Sequence, residues 1–140
     1  MSNKRTGGCL CGKVRYAVNG NVRGVVWCHC SQCQRSHGAT AAYTSAPKSS
    51  LIIDESNVSW YESSETSRRG FCSNCGSSLF YDSHSSLNIE ISAGTFDQPT
   101  HLKCIGHIFS DSISDYYKIT DELPRYREND LDGQFAVLNF

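Results

Sequence analysis

The chain has 140 residues, a one-domain length, with 39% hydrophobic and 19% charged residues. Its net charge of -1, with a sequence pI near 6.5, supplies no field to draw it onto nucleic acid or an anionic membrane. Neither a dedicated nucleic-acid binder nor a membrane protein is expected.

The N-terminal "MSNKRTGGCL" is polar and has no apolar h-region, so the sequence predicts no signal peptide and a cytoplasmic protein. Thiols stay reduced in that compartment, and the 8 cysteines then read as metal ligands or catalytic thiols before they read as disulfides. Cys9 and Cys11 come first, and residues 14–18 form a predicted strand leaving them. Cys28, Cys30 and Cys33 follow in "CHCSQCQRSHG", with a single helical turn after Cys30. Strands are expected at residues 40–44, 51–53 and 58–61, the last two joined by a turn at 54–57. The serine-rich stretches 45–50 and 63–67 read as mobile loops inside one domain. Cys72 and Cys75 lie in "FCSNCGSS", ahead of a strand at 78–81. In "LNIEISAG", Leu87, Ile89, Ile91 and Ala93 alternate with polar residues, a clear period of two. A strand at 104–109 and a short helix at 120–123, stopped by Pro124, complete the prediction. The final six residues could form an edge strand, a docked tail or a partner contact. The fold class is all-β with few short helical turns.

Two cysteine groupings carry the chemistry. The spacer of C-x-x-C-G at Cys72–Cys75 lets both thiolates face one ion, and Gly76 suits the positive φ such a turn requires. With Cys9 and Cys11 added, four sulfurs can complete a tetrahedral site, for which zinc is the favoured ion. Buried free cysteines or a redox dithiol at Cys72 and Cys75 are the alternatives, the second without the βαβ pattern that accompanies it. Cys28, Cys30 and Cys33 are too dense for comfortable disulfides and suit three thiolates on one ion. Structural zinc sites are closed by four protein ligands, whereas catalytic ones keep a position open. A distant fourth donor would close this site, with Cys104, His29 and His37 as the candidates. If it stays open, three thiolates on a divalent ion leave a charge of about -1, a poor activator of water but a good host for a further thiol. That favours chemistry on sulfur over hydrolysis.

Taken in order, "GGCLCGKVRY", "CHCSQCQRSHGA", "FCSNCGSSLFY" and "HIFSDSISDYYKITDELPRY" resemble the glutathione-dependent formaldehyde-activating enzyme family, whose domain centromere protein V also carries. The resemblance runs over about residues 7–126, leaving 127–140 as a C-terminal tail. It implies a β-tent of twisted antiparallel sheets stapled by two zinc ions per chain. The structural zinc would sit on Cys9, Cys11, Cys72 and Cys75, and the second, catalytic one on Cys28, Cys30 and Cys33. The implied activity is that of a carbon–sulfur lyase on a small thiol adduct such as S-hydroxymethylglutathione, formed from glutathione and formaldehyde. Family members often carry a Lys and a Trp after the "HI" strand. This sequence has "SISDYYKI", with Tyr116 and Tyr117 in the tryptophan's place.

Glutathione bears two carboxylates, so its pocket needs cations. Arg35 and His37, directly after the three-cysteine loop, are the candidate contacts, although each also reads as an ordinary surface residue. Arg68 and Arg69 lead into the knuckle and are weaker candidates. His107 sits at the family's "HI" position but reads as a packed strand histidine, His84 and His101 as loop residues, and Trp27 and Trp60 as core or pocket-wall aromatics. No general base is evident. The competing reading is a non-catalytic zinc-binding module for a protein partner. A thiol-redox or metal-buffering protein fits the cysteine count but not the strand-embedded spacing.

Overall fold

The computed structural model describes residues 3–129. Its described part is mostly β: ten strands in two sheets and one α-helix, as the alternating patterns predict. The smaller sheet has the order β1 (Lys4–Gly8), β2 (Arg15–Asn19), β5 (Leu51–Ile53). The larger begins with β10 (Cys104–Ile108), β3 (Val25–Cys28), β4 (Ala41–Pro47) and β9 (Asn88–Ser92), and ends with β8 (Ser78–Ser83), β7 (Ser67–Cys72) and β6 (Val58–Glu62). Every strand pair is antiparallel except β10 with β3, which is parallel.

The main core lies between the sheets. Tyr16, Val14 and Val18 from one side meet Leu79, Phe80, Ile89 and Ile91 from the other. Tyr16 packs edge-on against Phe80 and Phe96, at ring-centroid distances of 5.6 and 5.5 Å, and its hydroxyl bonds Thr95. A smaller cluster of Cys28, Cys33, Ala41 and Tyr43 fills the other end of the large sheet.

The turn expected at 54–57 joins β5 to β6, which lie in different sheets. A 3-10 turn at Glu55–Asn57, capped by Asp54 accepting from the Ser56 amide, carries the chain from one sheet to the other. Residues 45–50 are no mobile loop, because Ser45 and Ala46 are buried in β4 and Lys48–Ser50 form a 3-10 turn. Residues 120–123 form no helix. The Asp121 carboxylate instead accepts from the Leu123 amide, the competition by which a short polar side chain disfavours helix. Strands β1, β3 and β7 were not anticipated, since "KRTGG" and "SRRGFC" lack apolar alternation. The stretch 63–67 joins β6 to β7, with the Ser63 and Ser64 amides donating to the Ser67 carbonyl. The helical turn after Cys30 is α1 (Ser31–His37), ended by Gly38 at φ 84 with its amide on the Gln34 carbonyl. The expected C-terminal strand or tail lies outside the described residues.

Candidate metal centres and cavity

The turn after β1 and the knuckle between β7 and β8 bring Cys9, Cys11, Cys72 and Cys75 together, with all four sulfurs within 4.8 Å of one another. Cys9 and Cys11 are 3.5 Å apart and Cys11 and Cys72 3.8 Å, so these are not disulfides. A zinc–sulfur bond of about 2.3 Å in a tetrahedron separates its sulfurs by about 3.8 Å. Backbone amides aim at the sulfurs: Val14 donates to Cys9, and Asn74 and Cys75 donate to Cys72. Amide donors favour thiolates. Hydrogen bonds from Ser77, hydroxyl and backbone, draw the Cys75 thiol down to about 5. Gly76, at φ 77, closes the knuckle with its amide on the Cys72 carbonyl. Four thiolates would be untenable so close together without a cation, and this donor set fits zinc.

The second grouping has Cys28 at the end of β3, Cys30 as the N-cap of α1 and Cys33 in its first turn. The Cys30 sulfur accepts from the Cys33 amide at 3.3 Å, and the three sulfurs lie within 4.8 Å of one another. Hydrogen bonds from the Cys28 and Cys33 thiols pull Cys30 far below the usual thiol range, while the same contacts push Cys28 up. One thiolate forms readily, and full ionisation needs a positive charge in their midst, so these donors fit a soft divalent cation as well.

None of the expected fourth donors joins this cluster among the described residues. His29 is 2% exposed and turned into the protein, its Nε2 lying 2.9 Å from Nδ1 of His107. His107 in turn meets both carboxylate oxygens of Asp121 at 3.0 Å. His37 Nε2 lies 2.8 Å from the Tyr43 hydroxyl. Cys104 is exposed and pairs in register with Val25, at the far end of β3 from Cys28. Its sulfur accepts from Trp27 Nε1.

What the three sulfurs face is a cavity of about 470 Å3, walled by Tyr43, Tyr81, Arg69, the Arg23–Glu90 ion pair and the three cysteines. The sequence pattern of the glutathione-dependent formaldehyde-activating enzyme family matches residues 4–112. The chain belongs to that family. A crystal structure of a Rhodobacter sphaeroides protein is similar to it, with a TM-score of 0.55 and 24% identity over 71% of this chain and 98% of the other. This likeness bears on the fold. No curated protein matches the chain.

In this family member, Arg35 is exposed and is not among the residues lining the cavity. His37 reaches the cavity only through Tyr43. Besides Arg23, which is paired with Glu90, the cation on the cavity wall is Arg69, one of the two weaker candidates from the sequence. Its Nη1 donates to the Tyr43 hydroxyl at 3.3 Å and its Nη2 to Gln32 Oε1 at 3.2 Å. Since Arg69 can only donate, the Tyr43 oxygen accepts from it and the phenol proton points to His37 Nε2. Burial pushes the Tyr43 phenol up, so it stays protonated, and burial beside Arg69 pushes the His37 imidazole down. A period of two along β7 was the available signal: consecutive arginines on a strand must face opposite ways. Arg68 turns to the other face, over the Trp60 ring at 3.9 Å and onto Asp82 at 2.9 Å.

No helix among the described residues is long and apolar enough to cross a membrane.

Proposed function

We propose that this is a cytoplasmic, single-domain, zinc-dependent carbon–sulfur lyase acting on a small thiol adduct such as S-hydroxymethylglutathione. The observation that carries the reading is the three-sulfur cluster opening on a cavity, with no fourth donor among the described residues. Membership of a family tied by name to glutathione and formaldehyde supports it. Cys9, Cys11, Cys72 and Cys75 would hold a structural zinc and Cys28, Cys30 and Cys33 a second one. Zinc at the second site would acidify an incoming thiol and fix its sulfur in place.

The protein's own groups do the rest. Tyr43, Tyr81 and Ile108 line the cavity and limit water around the reacting carbon. Arg69 places a positive charge 3.8 Å from the Cys33 sulfur, on the side where thiolate charge accumulates. In cleavage the adduct's hydroxyl proton departs, the carbonyl of formaldehyde forms and the carbon–sulfur electron pair returns to sulfur. The protonated glutathione thiol and formaldehyde together account for every atom, and synthesis is the reverse.

Titrating the zinc-loaded protein with glutathione, while proton NMR follows formaldehyde, tests this. Glutathione binding with formaldehyde turnover is the expected result. Two inert metals with neither binding nor turnover would favour a non-catalytic module for a protein partner.

A further inference from the structure

The cavity floor is a row of side chains drawn from four adjacent strands. Cross-strand register places Arg69 opposite Tyr81 and Tyr81 opposite Glu90, and β4 contributes Tyr43 to the same wall. Within this row the charges are unevenly matched. Glu90 is paired with Arg23 at 2.9 Å. Arg15, Arg68 and Arg127 also meet carboxylates elsewhere in the fold. Arg69 meets none among the described residues. Its acceptors, Tyr43 and Gln32, are neutral, the Tyr81 ring lies 5.0 Å from its guanidinium carbon, and its buried Nε has no hydrogen-bond partner. A half-buried guanidinium held this way has lost hydration without gaining a counter-charge, apart from the long contact to Cys33.

We propose that Arg69 is the carboxylate anchor of the cavity and makes it selective for thiols that carry a carboxylate near their sulfur. The inference rests on the reading of the three-cysteine cluster as the thiol site. Tyr43 and Tyr81 hold the guanidinium in orientation, so a planar carboxylate meets a fork already set. Gln32 is exposed, and its amide oxygen sits on Nη2 where a carboxylate oxygen would bind. A ligand can displace it at small cost. Because that same Nη2 lies 3.8 Å from the Cys33 sulfur, the carboxylate must sit within a few ångströms of the cluster. A neutral thiol of equal size forgoes this contact.

Calorimetric binding of glutathione and of its diethyl ester, whose carboxylates are masked, to the zinc-loaded protein provides the test. Wild type should prefer glutathione by about 10-fold or more, the worth of one charge-assisted pair. Arg69→Met should bring the two affinities to within about 2-fold, and Arg69→Lys, which keeps the charge but not the fork, should lie between. The ratio within each variant cancels any general effect on the site. An unchanged ratio in Arg69→Met overturns the proposal, as does a wild type that binds both compounds alike. Should Arg69→Met fail to fold, Arg69→Lys decides: a ratio equal to wild type's counts against the anchor and a reduced one supports it. A wild type that binds neither compound removes the thiol-site reading itself, and this inference with it.

Discussion

Arg68 and Arg69 are neighbours in sequence with separate tasks. Arg68 shares the Asp82 carboxylate with Lys48, at 2.9 and 2.7 Å, while Arg69 looks into the cavity. Burial alone would raise the Asp82 carboxyl, but its two cationic partners outweigh that and hold it below the ordinary carboxylate range. A carboxylate depressed by folding contributes stability that is full above its unfolded pKa and is lost as pH falls through the folded value. Urea midpoints should therefore decline on acidification below about pH 4, and in Asp82→Asn that decline should be shallower. At neutral pH, Asp82→Asn should cost about 1–3 kcal/mol, because both cations keep partial access to water. Gly76→Ala should also destabilise, by about 1 kcal/mol in thermal melts, since L side chains rarely adopt its φ of 77.

At the scale of elements, the two cysteine groupings differ in what they join. The four-sulfur grouping ties the small sheet to the knuckle of the large one, whereas the three-sulfur grouping is local to β3 and α1. Cys72→Ser should abolish cooperative folding or cause aggregation, as a metal held there would be coupled to folding. Cys33→Ser should remain folded, with one metal fewer by elemental analysis. Equivalent behaviour of the two variants would contradict the division. The His29–His107–Asp121 chain links β10 and the segment beyond it to the loop bearing Cys28 and Cys30. Removing its middle member in His107→Phe strands the buried His29 ring without its partner and should cost about 1–3 kcal/mol in melting experiments.

Over the whole molecule, the sequence was most readable where structure is local. Cysteine spacing within a turn reports directly on which sulfurs can converge, and the alternation of Ile89 and Ile91 marks β9 with the same directness, although Leu87 lies before the strand and is exposed. The join between Cys11 and Cys72 spans 61 positions yet was legible, because tetrahedral completion demands two more sulfurs and "CLCG" offers them. Arg69 was legible only as a weaker candidate alongside Arg68, for which of the two faces the cavity depends on a long-range strand pairing that "SRRGFC" does not announce. The parallel entry of β10 beside β3 was hidden for the same reason, as were the separate sheets of β5 and β6.

Strand order has a bearing on biosynthesis as well. The small sheet is complete once Ile53 has been made, yet Cys9 and Cys11 beside it wait for a knuckle that ends at Gly76. A nascent chain thus passes through a stage with two uncovered thiols next to a finished sheet, and an oxidising encounter during translation would trap it there.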